Sequence, residues 1–159
     1  FSTADDNNND TYSSFLRHNF NFTKKSQLGT KLILNRTEAK KEFDSYDSSG
    51  INITYSHIFP IGTLKLSSSY LRNAYDEPET FLSVFKTRDD ESFVNSISLE
   101  GQIDQLLPFI KTSKISEGVF YTLNLRNSDV SSNIPNHDVE RKFFTIGLTK
   151  RFNLNEFFK

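Results

Sequence analysis

The chain has no cysteine, no tryptophan and no methionine among its 159 residues. Without cysteine there are no disulfides and no thiolate metal sites, although the compartment stays open. Long apolar runs are missing too: nothing approaches the roughly 18 residues of a membrane-spanning helix. No secretory signal opens the chain, since "FSTADDNNND" has neither a basic start nor an apolar stretch. A mature or truncated chain would begin in the same way. Net charge is -1, which points away from nucleic acid as a partner. What is abundant is aromatic: 16 Phe and 6 Tyr, within a hydrophobic content of only 35%. That balance argues against disorder, and the length allows one domain.

Apolar residues recur with period two along the whole chain. "YSSFLRHNFNF" puts Leu16, Phe20 and Phe22 on one parity, and "LGTKLILN" does so with Leu28, Leu32 and Leu34. "INITYSHIF" alternates Ile51, Ile53, Tyr55 and Phe59 with Asn52, Thr54 and Ser56. Leu64, Leu66 and Tyr70 follow, then Phe93, Ile97 and Leu99, then Tyr121, Leu123 and Leu125. The last such stretch is "FFTIGLTKRF", with Phe144, Ile146, Leu148 and Phe152 on one side. The pattern predicts an all-β, up-and-down antiparallel meander of about seven strands, with no sustained helical period.

Links between these strands alternate in length: short near "KKSQ", "FPIG" and "LLPFIK", long at "TEAKKEFDSYDSSG", "NAYDEPETFLSVFKTRDDE" and "NSDVSSNIPNHDVER". Tight turns at one end and large loops at the other are the asymmetry of outer-membrane barrels. The polar parity is rich in Ser, Thr, Asn, Gln and Gly, with single charges at Arg17, Lys31, Lys65, Glu100, Asp104, Arg126 and Arg151. A wet lumen suits that composition better than a Lys- and Glu-rich soluble surface. Leu32, Leu34, Ile53, Tyr55, Leu66, Tyr70, Ile97, Leu99, Tyr121, Leu123, Ile146 and Leu148 are then expected to face lipid. The rival is a soluble ligand-binding antiparallel β-barrel, lipocalin-like or fatty-acid-binding, which turns its apolar parity inward.

Outer-membrane barrels tend to finish on a strand with a terminal aromatic that the barrel assembly machinery reads. Phe144, Ile146, Leu148 and Phe152 have that form. Residues 1–11 are expected as a polar loop or linker, 12–154 as a transmembrane β-barrel segment, and 155–159 as a short tail. An odd strand number is at odds with the even count of single-chain bacterial barrels. The chain is therefore expected to be the C-terminal part of a larger barrel in the outer membrane of a Gram-negative bacterium.

Two stretches go beyond pattern. "RNAYDEPETFLSVFKTRDDESFVNSISL" carries an aromatic after a strand, a loop, then Arg88-x-Asp90 opening the next strand. "NSDVSSNIPNHDVERKFFTIGLTKRF" carries an S-N-I-P loop, the basic pair Arg141-Lys142 and a strand ending in Phe. Over roughly residues 60–152 this resembles the C-terminal barrel of the surface lipoprotein assembly modifier family. The resemblance implies a barrel of about fourteen strands behind a periplasmic tetratricopeptide domain. It implies translocation, with delivery of lipoprotein cargo to the cell surface. Related tetratricopeptide-linked barrels that export polysaccharide share the strand pattern.

No enzyme chemistry and no cofactor are expected. His18, His57 and His137 are scattered without metal-ligand spacing, and no nucleophile elbow appears. His57 is expected at a barrel interface beside Tyr55 and Phe59. Glu100 and Asp104 share a face but lie about 13 Å apart along a strand, too far for a catalytic pair. Arg88, Asp89 and Asp90 read equally well as solvated loop charges or as an ion pair inside the rim.

Overall fold

The computed structural model describes residues 9–78, 86–110 and 118–151. The alternating stretches form β1 (Asn9–Asn21), β2 (Ser26–Ala39), β3 (Tyr46–Phe59), β4 (Gly62–Tyr75), β5 (Asp89–Gln102), β6 (Val119–Ser132) and β7 (Val139–Lys150). A one-turn helix, α1 (Ile103–Leu106), follows β5. The seven strands make one sheet in sequence order, each antiparallel to the next. β1 starts at Asn9, inside the stretch expected as a linker. Phe152 and the tail 155–159 lie outside the described residues.

Register decides which side chains share a face, because a slip of one residue would move a whole strand's set across the sheet. Leu28, Tyr55, Leu66, Ile97, Leu125 and Phe144 are successive cross-strand partners, and Phe20 extends the line into β1. A second line joins Leu64, Leu99, Leu123 and Ile146. The apolar parities of all seven strands thus fall on one face.

That face is the outward one. In β4, Leu66, Ser68, Arg72 and Ala74 are exposed, whereas Lys65, Ser67, Ser69, Leu71 and Asn73 are partly shielded. In β5, Phe93, Asn95 and Ile97 are exposed, Ser92, Val94, Ser96 and Ser98 are shielded, and Asp90 is buried. On a curled sheet the side chains of the concave side converge and cover one another. From the burial contrast in β2 to β5 we infer that the polar parity is the concave side and the apolar parity the convex one. Among the described residues only Tyr121 and Ile134 are buried hydrophobics, while Leu16, Leu148, Phe144 and Ile146 stand 64–68% exposed. Among the described residues the sheet has no second layer to pack against.

The concave face is not polar throughout. Phe15, Ile33, Leu71, Val130 and Val139 fall on one cross-strand line, with Gly50 between Ile33 and Leu71 and Ser92 between Leu71 and Val130. A Cβ on Gly50 would lie 2.3 Å from the Tyr70 carbonyl oxygen and 2.9 Å from Leu71 Cδ1. The missing side chain leaves room for Leu71 Cδ1 beside β3, and the line is apolar on either side of Ser92.

Strict alternation of short and long links does not hold. The links run over 22–25, 60–61 and 103–118 at one end, and over 40–45, 76–88 and 133–138 at the other. The link around "LLPFIK", expected to be short, is the longest, and α1 lies within it. Conversely, most of "TEAKKEFDSYDSSG" and "NSDVSSNIPNHDVER" is strand. The hydrophobic period vanishes where both faces are polar, but the backbone ladder continues. Strands therefore outrun their own sequence signal.

Both outer strands, β1 with 13 residues and β7 with 12, present an unpaired backbone edge among the described residues. Such edges are templates for pairing. The 159-residue chain on its own, refolded without detergent, should elute as multimers or aggregate in light-scattering chromatography. A monodisperse, detergent-free monomer would contradict this edge arrangement.

Candidate functional site

The functional surface of a one-layer sheet is its two faces and its rims. On the convex face, apolar positions run from Phe59 to Ile51 in β3, about 27 Å along the strand at the usual rise. At a tilt near 40° that is a band roughly 20 Å tall, the order of an outer-membrane apolar belt. Leu32, Leu34, Ile53, Leu66, Ile97, Ile146 and Leu148 are exposed on it. Tyr55, Tyr70, Leu99 and Leu123 are half-buried members of the same face.

Tyr121 departs from the expected lipid contact. It is only 2% exposed, and its hydroxyl donates to the Ile61 carbonyl oxygen at 2.5 Å. Its side chain crosses Gly101 and Gly62: a Cβ on Gly62 (φ 150°) would meet the Tyr121 hydroxyl at 2.7 Å. The tyrosine pins the two-residue β3–β4 turn to β6 instead of facing outward.

Aromatic rings gather near the ends of the belt. At the turn end, His57 lies 4.4 Å from the Phe59 ring and 6.4 Å from Tyr55, and its Nδ1 is 2.7 Å from the Ser26 hydroxyl. At the other end, Tyr70 and Phe93 pack at 4.8 Å. Beyond them the convex face turns charged. Arg36 holds Asp76 through Nη1 at 2.8 Å and Nη2 at 2.5 Å, with Asp47 at 3.6 Å. Arg72 grips Asp89 with Nε at 2.9 and 3.1 Å and with Nη2, and Lys142 pairs with Glu140 at 2.7 Å. These pairs escaped the sequence reading because their strand segments look like loops. The usable signal was parity: Arg36 continues the Leu32, Leu34 series.

Arg17, Lys31, Lys65, Glu100 and Arg126 fall on the concave parity. Lys65 and Glu100 form an ion pair there. Lys31 Nζ stands 4.6 Å over the Phe15 ring, and the Arg151 guanidinium 4.3 Å over Phe120. Asp104 does not line the strand face: β5 ends at Gln102, and Asp104 sits in α1. Helical geometry breaks the two-residue parity that grouped it with Glu100.

At the rim around 88–90 and 133–134, the two stretches that carry the family resemblance meet. Arg88 binds the buried Asp90 carboxylate at 3.0 and 2.5 Å and lies 4.5 Å over the Tyr75 ring. Tyr75 in turn packs on Tyr46 at 5.0 Å. Asn133 accepts the Asp89 backbone N–H at 3.0 Å and donates to the Thr87 carbonyl oxygen at 2.8 Å. Arg88 and Asp90 are thus a paired rim element. Among the described residues, no group of three His, Asp or Glu side chains is arranged to hold a metal.

No family model, curated protein or solved structure matches this chain.

The Arg36–Asp76 tie gives a pH dependence. The Arg36 guanidinium holds the Asp76 carboxyl below the usual carboxylate range. A depressed folded-state pKa contributes stability above the unfolded value, lost as pH falls through the folded one. Glu77, pushed up by Glu42, relaxes in the opposite sense as it protonates. The Asp76 backbone N–H donates to the Ser45 carbonyl oxygen at 3.0 Å. Its hydrogen exchange, corrected for the intrinsic pH dependence of amide exchange, should therefore lose protection as pH falls below the usual carboxylate range. Asp76→Asn should already be less protected at neutral pH and show a flatter profile. Identical profiles for the two chains would remove the tie from the account.

Proposed function

We propose that this chain is a wall segment of an outer-membrane β-barrel that serves translocation. Its convex apolar face meets lipid and its concave polar face lines a water-filled lumen. One observation carries this reading: in the central strands β2 to β5 the more exposed parity is apolar and the more shielded parity is polar. In water, an apolar surface of that extent is a strong driving force for burial. A soluble ligand-binding barrel needs the reverse, with apolar side chains on the concave side. Strands that continue as charged ladders beyond the belt add support, since ion pairs belong in the wet region past the acyl chains.

Within that class, the resemblance of the Arg88-x-Asp90 and S-N-I-P stretches favours delivery of lipoproteins to the cell surface. The meeting of both stretches at one rim supports this, because a cargo passing out of a barrel crosses the rim. Lipid and the barrel assembly machinery are the implied partners, and the wall acts without covalent chemistry.

Two measurements test the reading. Ile97→Arg puts a charge in mid-belt, at a cost of roughly 2–4 kcal/mol if lipid lies there. It should sharply reduce the folded, heat-modifiable species in Gram-negative outer membranes. Ser98→Arg, on the concave parity, should assemble nearly as well as the unaltered chain. Equal tolerance at both positions would sink the orientation. The second concerns sidedness: an epitope inserted after Lys41 should be reached by antibody on intact cells, whereas one after Lys24 should need permeabilised cells. Reversed labelling would invert the topology.

A further inference from the structure

The formal charge of -1 hides a separation that register brings out. Arg17, Lys31, Lys65, Arg126 and Arg141 all lie on the concave parity, and Arg151 follows on the same side. The acids on that parity are Asp90 and Glu100, and each already holds a cation, Arg88 and Lys65. The convex parity carries the surplus of acid, with Asp47, Asp89, Glu91, Asp129 and Glu140 among its members. Arg17 and Lys31 are direct cross-strand partners. Like charges placed so are destabilising unless something negative offsets them. The surrounding depression, about 230 Å³, is completed by Asn19, Gln27, Asn52 and Ser56, with no carboxylate in its lining. Gly29 forms part of its floor.

We propose that the concave face selects anions, and that the Arg17–Lys31 depression is where an anionic solute rests against the wall. This rests on the reading of that face as a lumen. Two cations supply the field, while amide and hydroxyl groups of Asn19, Gln27, Asn52 and Ser56 supply donors to a partly dehydrated anion. Lys31 is backed by the Phe15 ring. That contact holds its ammonium without neutralising it.

The absence of tryptophan makes the test clean. Ser56→Trp sets a single indole at the edge of the depression, and Ser96→Trp sets one beside Arg126 on the same face. Either variant is reconstituted in phosphatidylcholine vesicles, and fluorescence is quenched with iodide and, separately, caesium. Because the two ions quench free indole with unequal efficiency, each quenching constant is divided by that of N-acetyltryptophanamide in solution. On that normalised scale iodide should quench at least about three times more efficiently than caesium, the ratio expected for a local potential on the order of kT/e. Arg17→Gln with Lys31→Gln should bring the Ser56→Trp ratio close to one and change the Ser96→Trp ratio less. Equal quenching by both ions in the unneutralised chain, stronger quenching by caesium, or no access for either ion at both reporters would overturn the proposal. Ile97→Trp with brominated acyl chains separates the two readings. If brominated lipid fails to quench it while iodide selectivity persists, the lipid-facing orientation falls and the anion surface stands.

Discussion

The hydrogen-bond ladder between neighbouring strands is the constraint on which everything else depends. It sets Leu28, Tyr55, Leu66, Ile97, Leu125 and Phe144 in one line, and it sets Arg17 against Lys31 on the other face. A one-layer sheet has almost no interior in which misplaced side chains could be tolerated. Shift any one strand by a residue and its apolar set would face the polar side. Gly50 and the Tyr121–Ile61 contact act as local locks on this register, since each leaves room for one particular neighbour.

Curvature then gives the two faces different physical surroundings. Side chains on the concave side share space, so polar groups there find partners: Asn52 donates to the Ser67 hydroxyl at 3.0 Å, and Ser48 to Asn73 at 2.8 Å. Convex side chains diverge and cover one another less, with Tyr121 the buried exception. Large apolar residues in that position are stable only against a solvent that is itself apolar, or against another protein surface. On the proposed lumen reading, the same curl would draw the fields of Arg17, Lys31 and Arg126 together over one wall.

Much of this could be read without coordinates. The all-β class, the seven-strand meander and the membership of each face follow from period two, which maps directly onto the alternation of side chains in an extended backbone. Strand ends were less legible. β2, β3 and β6 run on through Asn35–Ala39, Tyr46–Gly50 and Asn127–Ser132, where polar residues predominate on both parities and no hydrophobic period marks the ladder. The link 103–118 carries apolar residues at Ile103, Leu106 and Leu107 that continue past the last strand position, and α1 takes Ile103–Leu106 out of the strand. Tyr121 shows the same limit in one residue: parity assigned its face correctly, but nothing local says that a tyrosine will fold back over two glycines.

By itself the sequence determined that alternating apolar and polar faces exist, since that depends only on the pleat of a single strand. It also determined that disulfides and thiolate metal sites are absent, since there is no cysteine to form them. Only the tertiary structure decided which face turns outward and which groups become neighbours. Curvature is a property of the whole sheet, summed over the twist of seven strands, and a period of two is the same whichever way the sheet bends. Arg17 and Lys31 become cross-strand neighbours through a turn whose length sets the register, and Arg36 of β2 meets Asp76 in the link after β4 only once β3 and β4 are laid beside it. Charge of one sign could therefore be counted in the sequence, but its concentration on the concave wall emerged only when the strands were aligned.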